Sequence, residues 1–382
     1  MYIPRILTAS IIEKLASSHK GIIVYGARQV GKTTLVNEII KKLDLNTLII
    51  NGDQSRFIDI ITSRDLAKIQ SLVSGYDMLF VDEAQRIPEI GINLKIILDN
   101  LPKLKVVVTG SSSLDLASKI SEPLTGRVWS YHLYPISFSE LSLFQNKAEL
   151  DIHLEERLIY GSYPETFSYE SYSQKLEYLR MVSDAYLYRD LIEFGDIKNF
   201  SKIRDLLKLL AFQIGSEVSL TELGASLGMS KDTVSRYIDL LEKSFIIFRL
   251  GGFSRNLRKE VTKMDKIFFY DLGIRNILID NLKPLKDRND AGLLWENFLL
   301  LERMKFNSGH QDPVSSYFWR THTGAELDYV EERNGTLFGF EFKYGNKIDK
   351  VPAGWTKVYP KSEYQCINRK NYLDFILMDH KK

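Results

Sequence analysis

Residues Gly26-Ala27-Arg28-Gln29-Val30-Gly31-Lys32-Thr33 satisfy the pattern G-x-x-x-x-G-K-[ST], and they sit between an apolar run and a helical one. Gly21-Ile22-Ile23-Val24-Tyr25 reads as a buried β-strand, while Thr34-Leu35-Val36-Asn37-Glu38-Ile39-Ile40 places its apolar residues at helical spacing. Strand, glycine turn and helix in that order make an α/β layer with a phosphate-binding loop. The chemistry requires the order. Glycines let the backbone N–H groups of residues 26–31 wrap phosphate oxygens, the helix N-terminus adds the positive end of its dipole, and Lys32 supplies a mobile charge. Thr33 offers its hydroxyl to Mg2+, and Thr34 completes the nucleotide-contacting stretch.

A second strand carries acid. Asp77-Met78-Leu79-Phe80-Val81-Asp82-Glu83 is apolar until its last two residues, where Asp82 is expected to orient the metal and Glu83 to activate water. Thr47-Leu48-Ile49-Ile50 reads as a further strand between the loop and this one. Val106-Val107-Val108-Thr109 ends at Gly110-Ser111-Ser112-Ser113, where Ser111, or Ser112 beside it, either senses the γ-phosphate or caps a helix that begins near Leu114. Gly126-Arg127 precedes the strand Val128 to Leu133. Arg127 either lends a cation to the transferring phosphoryl group, as an arginine finger does, or is an ordinary surface or carboxylate-paired arginine.

At 382 residues the chain exceeds one ordinary core, and the motifs support three domains: 1–145, 146–270 and 271–382. With 44% hydrophobic and 26% charged residues it has a soluble globular composition, without an apolar run long enough to span a bilayer. The start Met1-Tyr2-Ile3-Pro4-Arg5 does not resemble a secretory signal, and the lone Cys366 leaves neither disulfide nor thiolate zinc site, so a cytoplasmic setting is expected. The net charge of +2 argues against a general polyanion binder and directs attention to local patches. Arg255, Arg258, Lys259, Lys263 and Lys266 face only Glu260 and Asp265, and from Lys343 onward nine basic residues oppose four acidic ones. Each run is either a binding surface or a solvated face.

After a polar connection at Phe144 to Glu149 the pattern turns helical, is interrupted at Gly161-Ser162-Tyr163-Pro164-Glu165, and resumes as a long amphipathic helix from Leu176 to Leu191. Ser219-Leu220-Thr221-Glu222 then has the form of a capping box. It opens a short helix, a Gly228-Met229-Ser230 turn and a second helix from Lys231 to Lys243, with Val234, Ile238 and Leu241 inward and Lys231, Asp232, Ser235 and Arg236 outward. The strand Phe245 to Leu250 follows, giving a winged-helix form that serves either DNA or packing.

In the tail, Glu326 to Val330 and Leu337 to Lys343 read as a β-hairpin across the turn Glu331 to Gly335. Period-two alternation puts Glu341 and Lys343 on one face with Asp328 beside them, and Glu296 lies on the apolar face of a helix from Leu293 to Met304. These four either hold Mg2+ against a phosphodiester or form a salt-bridged hairpin and a buried ion pair.

The order of G-x-R-Q-V-G-K-T, F-V-D-E-A-Q, T-G-S-S-S, G-R-V, a winged helix, and a tail with W-R-T and E-x-K resembles a large group of prokaryotic AAA-type ATPases. In that group a C-terminal domain of unknown function follows the ATPase module. The resemblance spans nearly the whole chain. It implies a P-loop ATPase of the AAA+ superfamily using ATP and Mg2+, with Lys32, Thr33, Asp82 and Glu83 in the roles above. It also implies a tail of restriction-endonuclease-like fold whose metal-site pattern falls on Glu296, Asp328, Glu341 and Lys343. DNA is the expected partner. The alternative is a regulatory switch for a protein partner with an inactive tail, and self-assembly is left open. A GTPase lacks support because no N-K-x-D motif follows the loop within residues 1–145; Asn346-Lys347-Ile348-Asp349 fits the pattern but lies far off in the tail.

Overall fold

The computed structural model describes residues 2–111, 124–185, 200–254, 265–309, 314–321 and 323–377. These divide into two units, one of residues 2–135 with 243–245 and one of residues 136–242 with 246–382.

In the first unit the apolar runs become β1 (Gly21–Tyr25), β2 (Thr47–Asn51), β3 (Met78–Asp82), β4 (Lys105–Gly110) and β5 (Val128–His132), an all-parallel sheet in the order β2-β3-β4-β1-β5. Parallel strands need both faces covered, which is why β3 is buried at every position and β1 at all but its last. Helix Lys32–Leu43 packs Leu35, Val36 and Ile39 inward, and Ile90–Asn100 packs Ile90, Leu94 and Ile97. Each such side chain contributes roughly 1.5–3 kcal/mol of burial. All five strands run the same way, so the loop after β1, the carboxylates after β3 and Ser111 after β4 reach the same edge of the sheet. That edge, beyond the carboxyl ends of the strands, is where open α/β sheets bind ligands.

The second unit begins helical. Lys147–Tyr160 is capped by Asn146 and Glu149 acting reciprocally, and it ends at Gly161, whose φ of +72° stops the helix. Ser219 opens helix Leu220–Leu227 with one half of the expected capping box, its hydroxyl accepting from Glu222 N at 3.3 Å. Gly228 at φ +59° turns the chain into helix Lys231–Lys243, where Val234, Ile238 and Leu241 are buried and Lys231, Asp232 and Arg236 are exposed. Tyr237 joins the buried face and Ser235 is half-buried. The expected helix Leu176 to Leu191 is described only as Tyr172–Ala185; its remainder lies outside the described residues.

A six-stranded mixed sheet follows, in the order β11-β10-β9-β8-β6-β7: β6 (Ile247–Gly252), β7 (Lys266–Phe269), β8 (Ser315–Arg320), β9 (Glu326–Arg333), β10 (Thr336–Phe342) and β11 (Glu363–Ile367). β6 pairs antiparallel with β7 and parallel with β8, so the strands after the two short helices are continuous with the tail sheet. The expected five-residue turn between β9 and β10 is tighter. Glu331 to Arg333 extend β9, and Asn334 and Gly335, at φ +49° and +79°, make a two-residue turn that fits the right-handed twist of the strands. Helix Ala291–Gly309 buries Trp295, Phe298, Leu299 and Leu300, together with Arg303, which is paired to the buried Glu331 at 3.0 Å. Among the described residues no helix is long and apolar enough to cross a membrane.

Candidate active site

The loop between β1 and helix Lys32–Leu43 is shaped by residues that tolerate no alternative. Gly26 sits at φ +155°, and a Cβ there would lie 2.3 Å from the Leu133 carbonyl oxygen; Gly31, at φ +93°, caps the helix. Between them Gln29 is also left-handed, at φ +59°. Arg5 holds the loop from outside, its Nη1 donating to Val30 O at 2.8 Å and its Nη2 to Tyr134 O. Nothing in the motif announces Arg5; a buried arginine near the chain start is legible only once the fold is known.

Lys32 is 5% exposed, and its Nζ donates to the carbonyls of Gly26 and Ala27, at 2.9 Å each. The ammonium is thus stationed inside the loop that would enclose a phosphate. Thr33 Oγ1 donates to Asp82 Oδ2 at 2.9 Å, and Thr109 Oγ1 donates to the other oxygen, Oδ1. A hydroxyl and a carboxylate converging in this way are hard oxygen donors suited to Mg2+, which prefers one or two carboxylates, water and substrate phosphates. Thr33 and Asp82 would hold the ion, and the ion would neutralise charge on the phosphates.

Glu83 adopts φ +50°, a left-handed conformation costing about 1 kcal/mol for a side-chain-bearing residue, and its N–H donates to Thr109 Oγ1 at 3.3 Å. Its carboxylate accepts from Gln85 Nε2 and from Ser111 Oγ, the latter at 3.2 Å. Burial works against the Glu83 charge, but Lys32, the Gln85 amide, Arg28 and the Ser111 hydroxyl together hold it below the usual carboxylate range. It is therefore ionised at neutral pH, as a proton acceptor must be. Ser111 stands beside Glu83; Ser112 and Ser113 lie outside the described residues. Gln29 is exposed on the loop, Thr34 is exposed on the first turn of the helix that follows, and Val30 is buried.

Arg127 is not brought to this edge. It precedes β5, its carbonyl accepts from Gly21 N where β1 begins, and its guanidinium grips Asp99 through Nε at 2.6 Å and Nη2 at 3.1 Å. β1 ends on the loop and starts at Arg127, so a full strand length separates the two within the chain.

In the tail, Asp328, Glu341 and Lys343 do come together. Asp328 Oδ2 accepts from Phe342 N at 2.7 Å, and Lys343 Nζ binds Glu341 at 2.6 Å and Asp349 at 3.3 Å. Glu296 joins through a residue assigned elsewhere by the sequence. Lys266, counted above in an exposed basic run, is only 4% exposed, with Nζ 3.1 Å from Glu296 Oε1 and 2.6 Å from Glu326 Oε1. β7 begins at Lys266 and turns it inward. Burial, countered by Lys266 but reinforced by Asp328 and Glu326, pushes Glu296 up to about 8; burial also raises Asp328 and Glu341. Among the described residues no group of three or more His, Cys, Asp or Glu side chains is arranged to hold a metal ion. The remaining members of the basic run, Arg255, Arg258, Lys259 and Lys263, lie outside the described residues.

Residues 18–142 match the AAA domain family. The chain carries an AAA-type P-loop ATPase domain. Residues 151–285 and 291–374 match two domains of unknown function, DUF8612 and DUF4143. Over 326 residues the chain is 28% identical to an uncharacterized protein of Mycobacterium tuberculosis, covering 84% of this chain and 70% of that one. Over 353 residues it is 27% identical to an uncharacterized protein of Methanocaldococcus jannaschii, covering 87% and 77%. Among solved structures it overlays on a Walker-type ATPase of Pyrococcus abyssi (14% identity, 71% of this chain and 94% of that one, TM-score 0.48). It also overlays on the RuvB Holliday junction branch migration motor of Thermotoga maritima (19%, 65% and 90%, TM-score 0.35). Overlays this loose carry no argument about function.

Proposed function

We propose that the protein is an ATPase that hydrolyses ATP at the edge of the parallel sheet and couples its nucleotide state to contact with DNA. The observation that carries the hydrolytic part is the hydrogen bond from Thr33 to Asp82, which assembles an oxygen pair for Mg2+ beside the ionised Glu83 and the buried Lys32. In this reading Lys32 and the N–H groups of residues 26–31 bind the phosphates, and the positive end of helix Lys32–Leu43 adds to their field. Thr33 and Asp82 orient the metal. Glu83 accepts the proton of the attacking water.

The DNA part rests on the two short helices and the strand pair β6–β7, read as a winged helix in which exposed Lys231 and Arg236 meet the duplex. In this organisation residues 1–145 are the ATPase module, 146–270 carry the winged helix, whose strands β6 and β7 share the sheet of the tail, and 271–382 supply the rest of a tail of restriction-endonuclease-like fold. Phosphate release measured with and without double-stranded DNA tests the coupling: stimulation or suppression supports it, and an unchanged rate removes DNA from the account.

A second reading, a nucleotide-dependent switch for a protein partner with an inactive tail, is favoured by Lys266. Its ammonium sits among Glu296 and Glu326 and in the field of Asp328, where a metal-dependent nuclease would need its cation.

A further inference from the structure

Gln85 lies two residues past Glu83, on the short 3-10 turn Ala84–Arg86 that follows the left-handed Glu83. It is only 7% exposed. Its Nε2 donates both to Glu83 Oε2 and to Ser111 Oγ, the latter at 2.8 Å. An ionised carboxylate can only accept, so the amide nitrogen must be the atom turned toward Glu83, which leaves Oε1 as the acceptor of the amide still to be used. That oxygen is buried, yet among the described residues no group donates to it. Buried amide oxygens ordinarily find a donor. Here the unused acceptor stands beside the group read as the general base, at the edge where the loop, Asp82 and Ser111 converge.

We propose that Gln85 orients the hydrolytic water: Gln85 Oε1 accepts one O–H of the water while Glu83 faces the other. The inference rests on the ATPase reading above. In the step, the water oxygen forms a bond to the γ-phosphorus as the bond from that phosphorus to the β,γ-bridging oxygen breaks. ADP leaves with the electron pair, and the transferred water proton passes to the Glu83 carboxylate. Ser111 and Gln85 together hold Glu83 in place before the water arrives, so the residue after β4 and the turn after β3 act on one carboxylate. Glutamine suits the task because its amide offers a donor to the base and an acceptor to the nucleophile from one rigid plane.

The test compares wild type, Gln85→Leu and Glu83→Gln for binding of a fluorescent ATP analogue, for KM and kcat of ATP hydrolysis, and for thermal midpoint. Gln85→Leu is expected to keep analogue affinity and KM within about threefold while kcat falls on the order of ten- to a hundredfold, as for loss of one oriented transition-state contact. Where the leucine variant fails to fold, Gln85→Met, of matched length, takes its place. A crystal structure of the wild type with a non-hydrolysable ATP analogue is expected to show a water within hydrogen-bond reach of both Gln85 Oε1 and Glu83. Wild-type kcat in a folded Gln85 variant, or an analogue-bound structure with no water on Gln85 Oε1, overturns the proposal. A wild type that binds no nucleotide and releases no phosphate overturns the ATPase reading instead, so the two failures are distinct.

Discussion

Thr33 Oγ1 and Asp82 Oδ2 are 2.9 Å apart although 49 residues separate them in the chain. The contact closes because β1 and β3, with β4 between them, are parallel and end at the same edge, so the first turn of one helix meets the last residue of a strand. The functional groups of the phosphate loop and the acidic strand are thereby brought together by topology alone.

Replacing Lys32 by alanine is expected to abolish nucleotide binding or turnover while leaving the first unit folded. The ammonium bonds the Gly26 and Ala27 carbonyls of the loop, and the apolar side chains of its helix are untouched. Equilibrium binding of a labelled ATP analogue, with circular dichroism as the folding control, checks this. Undiminished binding and turnover in the variant would remove the phosphate-loop assignment.

Reversing Lys231 and Arg236 to glutamate should weaken DNA binding and flatten its dependence on salt. Each lost phosphate contact reduces the slope of log K against log salt by about 0.9, so the double variant should lose roughly 2. Fluorescence anisotropy at several salt concentrations reads the slope directly. A slope equal to that of the wild type would favour a packing role for this helix.

Asp290 precedes the helix Ala291–Gly309 and lies between Arg275, at 2.5 Å, and Arg288, at 2.8 Å. Burial opposes its charge, but the hydrogen bonds from Arg288 and Arg275 outweigh that and hold the carboxyl at about 2. A depressed value means the folded state favours the ionised form. The stabilisation is therefore complete above the ordinary carboxyl range and is lost as pH falls from about 4 toward 2. Asp290→Asn should cost about 1–2 kcal/mol at pH 7, allowing for solvent screening, and the gap to wild type should narrow at pH 3. Thermal or urea unfolding of both proteins at the two pH values measures it; a gap independent of pH would contradict the ion-pair origin.

Plasmid and single-stranded DNA incubated with the wild type and Mg2+ or Mn2+ should remain uncut, because Lys266 already supplies the cation among the tail carboxylates. Metal-dependent nicking that disappears in both Asp328→Ala and Lys343→Ala would instead establish a nuclease.

The motif-bearing strands were legible because each is a short apolar run closed by glycine or acid, and their order along the chain matched the chemistry they serve. The hairpin was legible for a related reason, alternation on both sides of Asn334-Gly335, though the turn takes only those two residues because Glu331 to Arg333 stay in β9. Glu296 stood out as a carboxylate on an apolar face. Its partner did not, since Lys266 is one cation in a basic run and only the direction of β7 turns it inward. Arg127 allowed two readings, a phosphoryl-transfer cation or a surface or carboxylate-paired arginine, and the structure places it at the far end of β1 paired with Asp99. Gln85 and Thr109 were hidden by ordinariness: polar residues beside a motif reveal their role only through the atoms they face.

The most direct test of the central claim is phosphate release by purified protein with ATP and Mg2+, comparing wild type with Glu83→Gln. The account predicts that the wild type turns over and that the variant binds ATP with similar affinity but hydrolyses it on the order of a hundredfold more slowly or worse, since an amide cannot accept the water proton. Equal rates in the two proteins would contradict it.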